Sequence, residues 1–118
     1  MRKLNVTISE VLDVLESLLI SHNYFYYEKG EIPCCQSCGC YGVPKEYGNK
    51  YIFYNDQMLE SAVNPSNGEI FDELYLSWGE DVDFEVVRQR FAAKGIVITG
   101  GDPSQKLCVK PESKQWIQ

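Results

Sequence analysis

The 118-residue sequence lacks any long apolar run. A membrane-spanning helix needs about 20 consecutive apolar residues, and no segment of that length is present. The opening segment MRKLNVTISEVLDVLESLLI places basic residues before apolar ones, as a signal peptide does. However, Glu10, Asp13 and Glu16 interrupt the apolar part, and no small-residue cleavage site follows. We therefore expect a cytoplasmic protein that does not contact a membrane.

Positive charge is also scarce. Eleven Lys and Arg stand against seventeen Asp and Glu, which gives a net charge of −6. Seven of the acids lie between Glu69 and Glu85, a stretch without Lys or Arg. Because no basic patch exists to meet phosphates, nucleic-acid binding is disfavoured. The acidic stretch is typical of a solvated edge, and alternatively of a surface that docks a protein partner or supports self-association.

Histidine is nearly absent, and the cysteines are odd in number: the chain has one His and five Cys. In a reducing compartment, five cysteines indicate thiols or a metal site rather than a disulfide framework. A chain of this length can build one hydrophobic core without help from a metal or a disulfide. We expect residues 1–118 to form a single domain.

The spacing of hydrophobic residues predicts the secondary-structure elements. Apolar residues recur at helical spacing from Thr7 to Ser21, where Thr7 and Glu10 fit a capping box. Strands separated by shorter helices, with a terminal hairpin, predict an α+β fold: a mixed β-sheet with helices packed mainly on one face, an N-terminal helix and a C-terminal β-hairpin. The shorter helices are predicted at 55–63 and 84–94, and the strands at 50–54, 72–78, 95–99 and 105–110.

Four of the five cysteines crowd into the segment IPCCQSCGC, residues 32–40. Cys35 and Cys38 form a C-x-x-C-G sequence, in which two thiolates can reach one zinc ion while the backbone turns around it. A structural zinc site normally needs four ligands, and no second pair is present. Completion of the site would have to come from Cys34, Cys40, Cys108 or the one histidine, His22.

Two other interpretations of this segment stay open. Cys35 and Cys38 also have the spacing of a redox dithiol, although the following glycines and proline disfavour a long helix there. No basic residue lies between Cys34 and Cys40 to stabilise a thiolate. Reduced cysteines also pack as small apolar side chains, the interpretation we favour for Cys108. Four thiols in seven positions are nevertheless dense for packing alone.

No group of residues forms a catalytic constellation, since the serines have no histidine near them in the sequence. Tyr54 and Gln57 are the candidate binding residues, because they lie where a predicted strand gives way to a helix. The alternative role for Gln57 is a hydrogen bond to the backbone of the cysteine segment that holds it in place.

Two segments, CCQSCG (34–39) and YIFYNDQ (51–57), resemble an uncharacterised bacterial family, a domain of unknown function. Its pattern reads C-C-x-[ST]-C-G and then F-[YF]-x-x-Q, and the later LYLSWG and VVRQRFAAKGIVI match its order of a strand, a helix and a closing hairpin. Met58 replaces a common acid, and Cys40 replaces a frequent His, for which a Cys could substitute as a ligand. The resemblance implies one α+β domain with the cysteine segment as its site. The family pattern falls on Cys34, Cys35, Cys38, Gly39, Phe53, Tyr54 and Gln57.

These observations favour a non-catalytic binding or interaction domain with a structurally important cysteine loop. The alternative is a zinc-binding or thiol-redox protein that uses the Cys34–Cys40 loop, with zinc as the candidate cofactor. Whether the protein is an enzyme stays open.

Overall fold

Four α-helices, one short 3-10 helix and three strands make up the fold in the computed structural model, which describes residues 6–28, 30–100 and 107–109. Their order confirms the predicted α+β class. In chain order they are α1 (Ile8–His22), α2 (Gln36–Gly42), the 3-10 helix (Lys45–Tyr47), β1 (Ile52–Phe53), α3 (Asp56–Ala62), β2 (Leu74–Trp78), α4 (Phe84–Ala92) and β3 (Leu107–Val109).

Helix α1 begins at the predicted capping box. The Thr7 hydroxyl accepts a hydrogen bond from the Glu10 backbone N–H at 3.4 Å, and the Glu10 carboxylate accepts one from the Thr7 N–H at 3.2 Å. The bond to the carboxylate satisfies the Thr7 N–H, and the hydroxyl adds a second acceptor for the Glu10 N–H, which also donates to the Thr7 carbonyl oxygen at 3.1 Å. Asn23 caps the C-terminal end of the helix, and its φ of 61° lies in the left-handed region. Its apolar stripe packs against α4.

The three strands pair in the order β1-β2-β3, and both pairings are antiparallel. Among the described residues, the predicted mixed character of the sheet is limited to one isolated parallel bridge, between Phe25 and Tyr51. Strands β1 and β2 run antiparallel although α3 lies between them, because residues 64–68 reverse the chain after the helix. The Gly68 N–H donates to the Asn64 carbonyl oxygen at 2.8 Å in that turn.

The predicted C-terminal hairpin is present in reduced form. Thr99 and Cys108 form an antiparallel bridge in which each N–H donates to the other's carbonyl oxygen, at 3.1 and 2.8 Å. The strand predicted at 95–99 is represented by isolated bridges at Ile96 and Thr99, while β3 pairs with β2 on its other side. The predicted turn lies largely outside the described residues.

Alternation along β2 separates the core from a second face. Leu74 and Leu76 are fully buried in the hydrophobic cluster that also contains Leu15 and Phe91. Side chains of a strand point alternately to opposite faces, so Tyr75 and Ser77 lie on the face away from that cluster. Helix α3 contacts β2, and the two elements border the cavity described below.

Candidate metal centre and adjoining cavity

The cysteine segment is mostly helix rather than the predicted loop. Cys35 is the residue before α2 and has an extended backbone, with φ −152° and ψ 174°, and its carbonyl oxygen accepts from the Gly39 N–H at 3.0 Å. The sequence prediction treated the glycines as breakers, but Gly39 and Gly42 both lie inside this seven-residue helix. The helix is short, as the prediction that no long helix forms here requires.

Three contacts fix α2 against the rest of the protein. Gly39 is buried, and a Cβ at this position would lie 2.3 Å from the Phe53 ring, so only glycine allows this approach. The Tyr27 hydroxyl donates a hydrogen bond to the Gly39 carbonyl oxygen. Before the helix, the Pro33 carbonyl oxygen accepts from the Asp56 N–H at 2.8 Å. The segment is therefore held from both β1 and α3.

The structure brings three of the predicted ligands together. The sulfur atoms of Cys34, Cys35 and Cys38 all lie within 4.8 Å of one another. Cys34 Sγ is 3.2 Å from Cys38 Sγ and 4.0 Å from Cys35 Sγ. A tetrahedral zinc ion with Zn–S bonds of about 2.3 Å requires S–S separations of about 3.8 Å. These two separations lie on either side of that value, so side-chain rotations would be needed to bring the three sulfurs onto one ion.

The other predicted ligands lie elsewhere. Cys40 Sγ contacts the Tyr51 hydroxyl at 3.6 Å. Cys108 is buried on β3 opposite Tyr75. His22 ends α1, where its Nδ1 pairs with the Ser21 hydroxyl. Within the described residues, none of these three belongs to the cluster of thiols formed by Cys34, Cys35 and Cys38.

The three clustered thiols share hydrogen bonds and differ in acidity. The backbone N–H of Cys38, followed by its side chain, lowers the pKa of Cys35 below its usual value. The neighbouring sulfurs of Cys34 and Cys35 raise the pKa of Cys38 to about 11. Negative charge on one sulfur thus opposes ionisation of the next, and a bound cation would allow all three to ionise because it offsets that repulsion.

A cavity of about 620 Å³ adjoins the cysteine cluster. Gln36, which directly follows Cys35, lines it together with Gln57. Asn55 and Ser77 also line it, and they are the two buried polar side chains in the described part of the chain. The Asn55 Oδ1 accepts from the Met58 N–H at 3.0 Å as the cap of α3, which leaves the amide nitrogen as the donor that Asn55 can offer to the cavity.

The two predicted binding residues lie in different environments. Gln57 is exposed and lines the cavity, whereas Tyr54 is 2% exposed and belongs to the hydrophobic core. Burial, followed by the nearby Asp56 carboxylate, raises the pKa of Tyr54 to about 12. The hydrogen bond that joins the cysteine segment to α3, within the described ranges, comes from the Asp56 backbone and not from the Gln57 amide.

Sequence reasoning missed Asn55 and Ser77 as cavity residues. Ser77 had a detectable signal, since it alternates with the apolar Leu74 and Leu76 along β2. Asn55 had a signal only as a helix cap, because its burial depends on how α3 packs against the sheet.

The chain matches no family model, no curated protein and no solved structure. The family resemblance noted above therefore stays a prediction.

Among residues 6–28, 30–100 and 107–109, no helix combines the length and the apolar character needed to cross a membrane.

Proposed function

We propose that this protein is a metal-binding domain in which Cys34, Cys35 and Cys38 hold one zinc ion. The observation that carries the proposal is the convergence of the three sulfur atoms within 4.8 Å of one another. The anchoring of α2 by Gly39 against Phe53 supports it, because a site holds a metal well when its supporting residues are fixed by packing.

The chemistry of the donor set favours zinc or another thiophilic ion. Thiolates bind zinc and Cu(I), whereas Mg²⁺ and Ca²⁺ take oxygen ligands. The cluster consists of sulfur donors, and no described carboxylate or imidazole belongs to it. Free thiols persist in a reducing compartment, and we accordingly propose a cytoplasmic location.

The site lies outside the hydrophobic core, and this bears on its role. Cys34 and Cys38 are exposed and Cys35 is partly exposed, while a separate cluster of buried apolar residues stabilises the fold. Removal of the metal is therefore expected to loosen α2 locally, while the apolar core keeps the metal-free chain folded. A binding role, rather than a scaffold required for folding, follows from this placement.

Metal content of the purified full-length chain tests the proposal. We expect about one zinc per chain by elemental analysis and by native mass spectrometry. Each of the variants Cys34→Ser, Cys35→Ser and Cys38→Ser should lose most of it, whereas Cys40→Ser should keep it. Zinc binding would be contradicted by a parent protein that contains no metal and whose peptide with residues 34–38 loses two hydrogen atoms to mild peroxide. That loss indicates a disulfide and would support the thiol-redox alternative.

A second candidate function rests on the cavity. Two buried polar side chains, Asn55 and Ser77, face a space of about 620 Å³, a size that suits a small ligand. Its described lining contains the Glu73 carboxylate and no cationic side chain, which favours an uncharged, hydroxyl-bearing molecule over an anion. This candidate retains the interpretation of a non-catalytic binding domain.

Amide chemical shifts provide the test of the cavity. Glucose, as an uncharged polyol, should shift the backbone resonances of Tyr75 and Ser77, and glucose 6-phosphate should shift them less at equal concentration. Gln57→Ala should weaken the glucose response without changing zinc content. Equal responses to the two sugars, or no response to either, would count against the second candidate.

A further inference from the structure

We infer that the proposed metal site keeps one coordination position open to solvent and that this position takes an exogenous thiolate. The inference rests on the proposed function and goes beyond it by naming the ligand class. It depends on three features: the direction of Cys40, the placement of the remaining donors and the exposure of the cluster.

Helical geometry keeps Cys40 out of the cluster. Cys38 and Cys40 both lie in α2 and are two residues apart, so they point to nearly opposite sides of the helix. Cys40 Sγ accordingly lies beside the Tyr51 hydroxyl, at 3.6 Å. Cys40 could reach an ion held by Cys38 only if α2 unwound, and the burial of Gly39 against Phe53 opposes that.

No other donor that the structure describes closes the site. The set of sulfur, imidazole and carboxylate atoms that converge contains Cys34, Cys35 and Cys38 and nothing else among the described residues. Cys108 is paired in the sheet with Thr99 and Tyr75, and its sulfur does not belong to the converging cluster. An ion bound by three protein ligands has the form of an exchange or catalytic site, whereas structural zinc sites have four protein ligands.

The exposure of the cluster and the softness of its donors select the incoming ligand. Cys34 and Cys38 are exposed, so the fourth position of the ion faces solvent. A thiophilic ion in an all-sulfur site prefers another sulfur donor over an oxygen donor. In the binding step a thiol loses its proton to solvent, its sulfur forms a bond to the ion, and the bond between the ion and water breaks, with no change of oxidation state.

The thiolate has two possible sources, a free low-molecular-weight thiol and a cysteine of a second copy of this chain. Cobalt(II)-substituted full-length protein, prepared without oxygen or added thiol, distinguishes them. The sulfur-to-cobalt charge-transfer band reports the number of thiolates, and the sedimentation coefficient of the same sample reports association. Titration with 2-mercaptoethanol should raise the charge-transfer intensity by about one third, since four thiolates replace three.

Cys40→Ser is the decisive variant. If Cys40→Ser gives the same spectrum and the same response to added thiol as the parent, the inference is supported. If the parent also remains monomeric, the incoming ligand is a small thiol. Cobalt-dependent dimers with four-thiolate intensity before any thiol is added assign it to a second chain. If the parent ignores added thiol and Cys40→Ser loses about one quarter of the band, Cys40 closes the site. That result overturns this inference and leaves the proposed function standing. A parent that binds no cobalt or zinc removes both.

Discussion

Gly39 of α2 lies so close to Phe53 of β1 that a Cβ at position 39 would stand 2.3 Å from the ring atom Cε1. Real Cβ atoms do not approach other atoms to this distance, so the contact requires glycine. The same residue lies between Cys38 and Cys40 in the helix. One close contact therefore connects the sheet to the segment that carries the thiols.

Gly39→Ala tests this connection. The added methyl group has to displace Phe53 or move α2, and overpacking of this kind costs about 1–3 kcal/mol. We expect the free energy of unfolding, measured by urea denaturation, to fall by that amount. Zinc affinity should fall as well, because the three sulfurs depend on the position of α2.

Ser37→Ala is the matched control, since Ser37 is exposed in the same helix; it should change both quantities little. Phe53→Leu provides a double-variant cycle, because a smaller side chain makes room for the methyl group. The cost of Gly39→Ala should be smaller in the Phe53→Leu background. An unchanged cost in that background would mean that the two residues do not act on each other.

Thr7→Ala removes the side-chain cap of α1. The Glu10 N–H loses its side-chain acceptor and keeps its bond to the Thr7 carbonyl oxygen, while the reciprocal bond of the box becomes isolated; we therefore expect a loss of about 1 kcal/mol in the free energy of unfolding. Ser9→Ala, at an exposed position in the same turn, should remain within about 0.5 kcal/mol of the parent. Equal effects of the two substitutions would show that the box contributes nothing measurable.

Tyr54 makes stability depend on alkaline pH. Burial, with Asp56 and Tyr26, raises its pKa from 10.0 to about 12 in the folded protein. Between these values the unfolded chain has lost the phenolic proton and the folded one has kept it, so stability falls as pH rises from 10 to 12. Unfolding curves across this range should show a shallower fall for Tyr54→Phe. Tyr41→Phe, at a 95% exposed position, should show the same dependence of stability on pH as the parent. If the parent and both variants lose stability equally, Tyr54 is not the source of the pH dependence.

Local signals in the sequence were sufficient for much of the fold. The box of Thr7 and Glu10 located the start of α1 correctly, and the apolar spacing identified its buried face, because both features depend on neighbours in the same helix. The pairing of β1 with β2 was not predictable in this way. It depends on packing between two strands that lie far apart in the sequence, on either side of α3 and the turn at 64–68.

The candidate site was also predicted only in part, because some of its features depend on neighbours in the sequence and others on packing. The spacing of Cys35 and Cys38 indicated that two thiols meet, and Cys34 was an open candidate. Only the helical geometry of α2 shows that Cys40 points away from the other thiols. The glycines concealed this helix in the sequence because glycine has a low helix propensity, which packing against Phe53 overcomes. Tyr54 was predicted at a binding site, but both residues of β1 and the two residues after it are buried, so no alternation marked it as a core residue.

Zinc K-edge X-ray absorption of the zinc-loaded full-length chain tests the central claim most directly. We expect three sulfur neighbours at about 2.3 Å and one oxygen neighbour in the absence of added thiol. A first shell made of oxygen and nitrogen alone, or a protein that retains no zinc after gel filtration, would contradict the claim that Cys34, Cys35 and Cys38 form a metal centre.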